Sequence, residues 1–339
     1  MKSRWNETEA TEFEGVLGQC VYASRLLGSD PTLVLHGGGN TSIKTVEHDV
    51  HGESIDVLWV KASGWDLSAI EPAGFTPLDL GRVRRLSELD ELSDLEMANA
   101  LRTAKLDASA CEPSVEAMIH AIISDHAVQH THADALLAIS NTDGGAERVR
   151  DLYGDRVVVV QYARSGFRVA KATADAYAAQ RTDRTIGIVL MNHGLFTFGA
   201  TPREAYERMI ELVSEAEEHL TRSSSGEVVP GPVDAVPSVD RSGLASLRSE
   251  ISAAAGKPMI LSRHTDDESW AFSQRTDLEA LAGQGPATPD HVIWTKTLPM
   301  IGRDVAAYAD RYRAYYEEHK HLATAPRMLD PAPRVIFDR

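Results

Sequence analysis

The chain has 339 residues, 43% of them hydrophobic and 25% charged, and this composition predicts a globular protein with a sizeable buried core. The formal net charge of −16 argues against nucleic acid or an anionic membrane as a partner. Only Cys20 and Cys111 are present, without a Cys-x-x-Cys pair, so neither a disulfide framework nor a thiolate metal site is expected.

The N-terminus carries no sign of export or of membrane insertion. Residues 1–14 are charged and lack the apolar stretch of a secretory signal. No apolar run along the chain reaches the length of a membrane span. The sequence therefore predicts a cytoplasmic protein.

Two turns that contain glycine follow predicted strands early in the chain. A helix is predicted over 7–28 from apolar residues at helical spacing, and Leu33–Leu35 is predicted to be a short strand. In the turn His36–Ser42, HGGGNTS, the glycines let backbone N–H groups approach an anion, but the pattern of a dinucleotide or Walker loop is incomplete. Ser63-Gly64, after a strand over Ile55–Val60, offers a hydroxyl and an amide. Each turn is either an anion cradle or a plain tight turn.

Pro113-Ser114-x-Glu116 indicates the start of a helix that runs from Ser114 to about Ser124. Ser114 could cap this helix through its hydroxyl. A helix N-terminus also favours a phosphate, so the two roles are compatible.

His130-Thr131-His132 ends a short apolar run and is the most informative motif of the chain. On a β-strand, positions two apart point to the same face. Two imidazoles on one face supply half of a zinc site, which a third histidine and a carboxylate or water usually complete. A chance His-x-His pair is the alternative.

His193 could supply the third imidazole, because it follows the apolar run Ile186–Met191 and precedes Gly194, as in a strand that enters a tight turn. Glu116, on the helix before the histidine pair, could supply the carboxylate. Three histidines and one glutamate predict a catalytic rather than a structural metal site, since substrate can displace the carboxylate.

The composition changes at residues 222–240, where Ser, Gly, Pro and Val crowd together, and this predicts a linker. Before it, the pattern alternates buried strands, such as Val157–Val160, with amphipathic helices, such as 168–180. The predicted divisions are a catalytic domain over 1–222, a linker over 223–240, a C-terminal extension over 241–322 and an extended tail over 323–339.

These motifs, taken in order, resemble those of the class II aldolase/adducin family, over roughly residues 10–222. In that family a Gly-Asn-x-Ser turn, a Thr/Ser-Gly turn and a Pro-Ser-x-Glu helix start precede a His-x-His strand and a His-Gly turn. The resemblance is closer still to the aldolase part of bifunctional rhamnulose-1-phosphate aldolase/alcohol dehydrogenases, in the segments 24–28, 36–44, 59–64 and 285–291. A dehydrogenase domain follows in those fused proteins, and the sequence leaves open whether this chain stands alone or is part of one.

The resemblance implies an α/β fold, a three-layer α/β/α sandwich around a mainly antiparallel sheet, with a small C-terminal α/β extension. It also implies a homotetramer with sites between subunits and a small phosphorylated sugar as substrate.

Residue by residue, the resemblance assigns Zn²⁺, or another divalent metal, to His130, His132 and His193. Glu116 is implied as a further ligand and as the catalytic base, and its burial is expected to raise its pKa toward the working range. The implied phosphate-binding residues are Asn40, Ser63, Gly64, Ser114 and Lys61.

Two positions are less direct. Fuculose-phosphate aldolases have a second serine where this chain has Val115, and Lys61 or Lys44 could compensate for the missing hydroxyl. Tyr162 aligns with a family segment at the subunit interface, which implies an acid/base role across that interface, and the alternative is a half-buried core tyrosine.

The implied activity is that of a carbon–carbon lyase. A ketose 1-phosphate, with L-rhamnulose 1-phosphate expected first, would be cleaved to dihydroxyacetone phosphate and an aldehyde, here L-lactaldehyde. Alternatives on the same metal site are a sugar-phosphate 4-epimerase and a 3-oxo-sugar-acid-phosphate decarboxylase. An adducin-like interaction module without catalysis is the alternative of another class, and the three retained histidines argue against it.

Overall fold

The computed structural model describes residues 1–223, 238–323 and 326–338. The chain divides into two compact units. The first is Met1–Ser224 with Ala287–Asp290, and the second is Ser225–Pro286 with His291–Arg339. Most of the linker predicted at 223–240 lies outside the described residues.

A seven-stranded sheet runs through the first unit. Its strands are β1 (Asn40–His48), β2 (Ser54–Lys61), β3 (Phe75–Asp79), β4 (Ala127–Thr131), β5 (Val157–Val160), β6 (Gly187–Leu190) and β7 (Gly194–Gly199). Their order in the sheet is β3-β2-β1-β4-β7-β6-β5. Within this sheet, as far as the described residues show, β5 and β6 pair in parallel and the other neighbouring pairs are antiparallel. The predicted mainly antiparallel sheet is therefore confirmed.

Helices cover both faces of this sheet. They are α1 (Glu7–Ala10), α2 (Gly15–Gly28), α3 (Leu80–Arg84), α4 (Asp94–Thr103), α5 (Ala117–Ile122), α6 (Asp134–Ser140), α7 (Gly145–Tyr153), α8 (Phe167–Gln180) and α9 (Pro202–Ser223). Short 3₁₀ turns lie at Leu67–Ala69, Pro72–Gly74, Arg85–Glu88 and Gly154–Arg156.

The alternation of side chains along β5 shows how the layers are built. Val157 and Val159 belong to a core shared with α2, α6, α7 and α9, whereas Val158 and Val160 belong to a core shared with α3, α4, α5 and α8. A strand buried on both faces reads as a continuous apolar run, which is what the four valines show. The three-layer α/β/α arrangement is confirmed.

Two local predictions were wrong in detail. The helix predicted over 7–28 is two helices, because Gly15 has a φ of +70° and starts α2 after a turn. Leu33–Leu35 is not a strand, because the backbone N–H groups of Leu33 and Val34 both donate to the carbonyl of Asp30. Leu33 and Val34 are nevertheless buried, so these apolar side chains pack into the core from a turn rather than from a strand.

The second unit contains the C-terminal extension, which is also mixed α/β. Its elements are α10 (Arg241–Ala255), α11 (Asp267–Ser273), α12 (Leu278–Ala282), α13 (Pro289–Thr295), β8 (Met300–Ile301), α14 (Val305–His319) and β9 (Ile336–Phe337), with a 3₁₀ turn at Lys320–Leu322. The first two residues of α13 belong to the first unit. A small core around Leu247, Ile251 and Tyr308 stabilises α10 and α14. Within the described ranges, no helix combines the length and apolarity needed to cross a bilayer.

Candidate metal centre

The histidine pair lies at the end of β4, in the middle of the sheet. His130 is paired with Asn40 of β1 on one side and with Phe196 of β7 on the other. Its ring stacks on that of Phe196, with centroids 4.0 Å apart. His132 follows the last residue of the strand, and its backbone N–H donates to the carbonyl of Leu33. Both imidazoles are buried, so the strand end fixes them rigidly.

His193 comes from the turn that joins β6 to β7. Asn192 adopts a φ of 59° there, and the His193 N–H donates to the carbonyl of Leu190. A Cβ placed on Gly194 would lie 2.3 Å from the carbonyl oxygen of Thr131 and 2.8 Å from Cε1 of His130. Glycine at 194 is therefore what lets this turn approach the histidine pair.

The three imidazoles converge as the sequence predicted. One ring nitrogen from each lies within 4.8 Å of the other two. Nε2 of His130 and Nε2 of His132 are 3.1 Å apart. Among the residues the structure describes, these histidines form the cluster with metal-binding geometry.

The hydrogen bonds made by the Nδ1 atoms of His130 and His132 show whether the cluster suits a cation. Nδ1 of His130 donates to the carbonyl of Leu195 at 3.0 Å, and Nδ1 of His132 donates to Oδ2 of Asp290 at 2.9 Å. Both hydrogen bonds leave the Nε2 lone pairs directed at the centre, which is the tautomer of a metal ligand. Burial also lowers the pKa of His130 well below its usual range, so this ring is a neutral donor. The donor set therefore fits a divalent cation.

Glu116 is the residue just before α5, and its carboxylate faces the histidines. Oε1 of Glu116 is 3.0 Å from Nε2 of His193, and Oε2 is 3.5 Å from Nε2 of His130. The structure thus places a carboxylate where it could complete the coordination of a metal held by three imidazoles.

The expected pKa of Glu116 was wrong in direction. Burial alone would raise it, but the neighbouring His130 and His193 imidazoles and the hydrogen bonds from His193 and Asn40 hold the pKa of this carboxyl well below its usual range. Burial would lower the pKa of His193, yet the Glu116 carboxylate raises it above its ordinary value. Glu116 is therefore a carboxylate paired with His193.

Asn40 has a role that the sequence did not indicate. Its Nδ2 donates to Oε2 of Glu116 at 2.5 Å, and its Oδ1 accepts from Nε2 of His120. Nδ1 of His120 in turn accepts from the hydroxyl of Ser42 at 2.7 Å. Burial lowers the pKa of His120 to about 3, so this ring is neutral and holds one tautomer. A buried chain of hydrogen bonds from Ser42 to Glu116 thus fixes the carboxylate. The sequence signal for this chain of hydrogen bonds is the four-residue spacing of Glu116 and His120, which places residues on the same side of a helix.

The predicted phosphate-binding residues gather around the two glycine-containing turns. Nζ of Lys61 donates to the carbonyl of Gly37 at 2.8 Å, and the N–H of Ser114 donates to the carbonyl of Lys61 at 3.1 Å. The Ser63 N–H donates to the carbonyl of Glu112, close to Ser114 in sequence. Gly64 has a φ of +84° and is exposed. The hydroxyl of Ser114 accepts from the N–H of Glu116 at 3.2 Å in the turn before α5. The helix itself begins at Ala117 with Glu116 as its N-cap residue, so the predicted cap role of Ser114 is wrong.

Two other side chains lie apart from this group. Nζ of Lys44 donates to the carbonyl of Asp125 at 2.7 Å, farther along β1 from Asn40. Tyr162 is 67% exposed on the segment between β5 and α8 and lines a surface cavity with Met191 and Asn192. It is therefore not a core tyrosine, although its acid/base role stays a prediction.

The fold and the histidine cluster together define a mixed α/β protein with a candidate catalytic metal centre. Residues 18–220 match the model of the class II aldolase and adducin N-terminal domain, and residues 238–339 match the second domain of class II aldolases. The chain belongs to the class II aldolase/adducin family.

Several known proteins are similar to this chain. The N-terminal class II aldolase domain of a conserved protein from Thermoplasma acidophilum is 42% identical, with a TM-score of 0.60 over 65% of this chain and 99% of that one. An L-fuculose-1-phosphate aldolase from Thermus thermophilus is 18% identical, with a TM-score of 0.40 over 61% of this chain and 96% of that one. An uncharacterized oxidoreductase of Bacillus subtilis (strain 168), YuxG, is 33% identical over 99% of this chain. The chain spans about half, 52%, of the length of that curated relative.

Proposed function

We propose that the protein is a metal-dependent aldolase that cleaves a ketose 1-phosphate, with L-rhamnulose 1-phosphate as the first candidate, into dihydroxyacetone phosphate and an aldehyde. The observation that carries the proposal is the convergence of three buried imidazoles on one point, with the Glu116 carboxylate 3.0 Å from one of them. An adducin-like interaction module would have no use for such a cluster, because buried polar groups are costly to assemble.

The metal would be held by His130, His132 and His193, with Zn²⁺ as the first candidate and Glu116 as an exchangeable fourth donor. Bound there, a divalent cation would act as a Lewis acid on the carbonyl and hydroxyl oxygens next to the bond that breaks, an effect worth several kcal/mol. Neutral imidazole ligands suit this chemistry, since they leave more of the charge on the cation than thiolates do.

Glu116 would handle the proton at C3. During cleavage one proton leaves the C4 hydroxyl, the C3–C4 bond breaks, and one proton arrives at C3. In the reverse direction the carboxylate would remove that proton from dihydroxyacetone phosphate, and its low pKa keeps it in the required form. Asn40 and His120 orient the carboxylate without competing for the proton.

The phosphate would lie against the turns at 36–42 and 63–64. Lys61, Ser63, Gly64, Ser114 and the second N–H of the Asn40 amide are the proposed donors. Lys61 matters most here, because the chain carries a net charge of −16 and a dianionic phosphate needs a local cation. Val115 is half exposed beside Ser114, so it leaves one wall of this pocket without a hydroxyl.

Tyr162 would act on the C4 hydroxyl of a substrate bound by a neighbouring copy of the chain. Its exposure fits this role, because a side chain that serves another subunit must reach outward. A homotetramer with sites between subunits, in the cytoplasm, is part of the same proposal.

The test is release of dihydroxyacetone phosphate from L-rhamnulose 1-phosphate by zinc-loaded protein, with a chelator-treated sample as control. Release that the chelator abolishes and zinc restores would support the aldolase and the substrate together. If a zinc-loaded protein released nothing, the same sample would be tested for 4-epimerisation of a pentulose phosphate and for decarboxylation of a 3-oxo sugar acid phosphate. Either activity would replace the aldolase proposal.

A pH dependence of substrate binding follows from Lys61. Burial lowers the pKa of this lysine to about 8, so its ammonium is present below that pH and is lost above it. We expect KM for the sugar phosphate to rise as the pH increases through about 8, with a smaller change in kcat. Initial rates measured over the two pH units around this value would show it.

The variant Lys61→Met tests whether Lys61 is the group that causes this pH dependence. It should raise KM by about tenfold or more at neutral pH, because a charge-assisted hydrogen bond to phosphate is worth roughly 1.5–3 kcal/mol. Its KM should then rise less with pH than that of the parent protein. A variant that keeps the parent KM at neutral pH would remove Lys61 from the phosphate site.

A further inference from the structure

The segment Ala287–Asp290 lies far along the chain from the histidines, yet it packs as part of the first compact unit. It falls within the residues that match the second-domain model, 238–339, and outside the stretch that matches the aldolase domain, 18–220. Asp290 is 3% exposed, and a carboxylate buried to this degree needs hydrogen-bond donors.

Asp290 finds two such donors at the metal centre. Oδ2 accepts from Nδ1 of His132 at 2.9 Å and from the backbone N–H of Leu35 at 3.1 Å. Because Nδ1 carries the proton, Nε2 of His132 keeps its lone pair toward His130 and His193. Asp290 meets the outer edge of the His132 ring and so touches the ligand rather than the metal position.

We propose that Asp290 is a positioning residue of the metal centre, a carboxylate that fixes the tautomer and the orientation of His132 and thereby raises the affinity of the three histidines for a divalent cation. The proposal rests on the proposed metal site and adds to it a residue from the second-domain part of the sequence. A ligating histidine commonly donates its other ring N–H to a carboxylate, which orients the ring and increases its basicity.

The glycine-rich turn is shaped to admit this carboxylate. A Cβ placed on Gly38 would lie 1.6 Å from Oδ1 of Asp290, closer than any two atoms can approach without bonding. Gly38 does not have a positive φ, so the glycine is needed here to leave room for the carboxylate rather than for an unusual backbone conformation. One glycine of the turn at 36–42 thus makes room for Asp290.

The same segment also reaches the turn that carries His193. Nδ2 of Asn141 donates to the carbonyl of Ala287 at 2.8 Å, and Oδ1 of Asn141 accepts from Nδ2 of Asn192 at 3.3 Å. Asn192 directly precedes His193. Residues 287–290 therefore contact His132 directly, and they contact the turn that carries His193 through the side chain of Asn141.

The test is the affinity of the full-length protein for Zn²⁺, measured by competition with a chromophoric chelator. The variants are Asp290→Ala, Asp290→Asn and, as a control at an exposed position, Asp183→Asn. We expect the dissociation constant to increase by about 10–100-fold in Asp290→Ala and by less in Asp290→Asn, which keeps a neutral acceptor. Asp183→Asn should match the parent protein.

A spectroscopic readout separates positioning from general destabilisation. In the Co²⁺-substituted protein, the d–d absorption bands should shift or broaden in both Asp290 variants, because a freed His132 ring changes the ligand geometry. Thermal unfolding of the zinc-free proteins would show how much stability each variant loses independently of zinc binding.

Gly38→Ala provides an independent route to the same effect, because its methyl group would displace Asp290. We expect it to weaken zinc binding about as much as Asp290→Ala does, and to add little when combined with Asp290→Ala. Asp290 variants with the parent affinity and the parent Co²⁺ spectrum would overturn the proposal while leaving the metal site intact. A parent protein that binds no metal would instead overturn the proposed function, and this inference with it.

Discussion

Replacing His193 by alanine is expected to lower kcat/KM for ketose 1-phosphate cleavage by about a thousandfold or more and to abolish stoichiometric zinc binding. A centre with two imidazoles and one carboxylate loses a ligand of the three-histidine set, and the Lewis-acid effect at stake is worth several kcal/mol. A loss of about 4 kcal/mol corresponds to about a thousandfold in rate. Metal content per chain and initial rates at saturating zinc would measure both effects.

His193 is a better choice for this test than His130. His130 is fully buried and stacks on Phe196, so its removal would also open a cavity in the core. His193 lies on a turn, and its Nε2 is 3.0 Å from Oε1 of Glu116. His51→Ala, on the exposed turn between β1 and β2, is the matched control and should retain zinc and activity. Parent-level zinc in His193→Ala would exclude this histidine as a ligand.

The convergence of the three histidines could be predicted because short-range pattern and tertiary geometry agree. His130 lies on β4, whose side chains alternate between the two cores, and His132 directly follows the last residue of that strand. The strand period of two therefore predicts that the two rings lie on one side. His193 was predicted from a strand that enters a glycine turn, and the close approach of Gly194 to Thr131 explains why that glycine is needed. In both cases a local rule already determines where the side chain points.

The role of Asp290 could not be predicted from the sequence, and Asp290 also contributes to the wrong prediction at Leu33–Leu35. The N–H groups of Leu33 and Val34 form a local turn with the carbonyl of Asp30, and the N–H of Leu35 donates to Asp290 instead of to a neighbouring strand. This partner lies 255 residues away in sequence, and no local pattern links the two. The pKa of Glu116 was misjudged for a similar reason, because burial was visible from the sequence while the hydrogen bonds from Asn40 and His193 were not. Contacts between distant segments decided what local periodicity could not.

Glu116→Gln is expected to separate metal binding from proton transfer. The amide has nearly the shape of the carboxylate, and its oxygen can still accept from Nδ2 of Asn40, so the side chain should stay in place. We expect the variant to retain zinc with at most a modest loss of affinity, because the three imidazoles remain. Its kcat should nevertheless fall by about 10²–10⁴, the range typical of a lost general acid/base. Glu112→Gln, an exposed glutamate in the segment before α5, is the matched control.

A half-reaction identifies the role of Glu116 more directly than turnover does. Without aldehyde, the zinc-loaded enzyme should exchange one hydroxymethyl proton of dihydroxyacetone phosphate with deuterium from solvent, which NMR can follow. That exchange requires only the base and the polarised carbonyl, so it does not depend on Tyr162 or on assembly of the aldehyde site. Glu116→Gln should lose the exchange while holding zinc, whereas a Tyr162→Phe variant should keep it and lose cleavage. If Glu116→Gln exchanged the proton at the parent rate, the carboxylate would be a metal ligand alone, and the base would have to be sought among the other groups around the site.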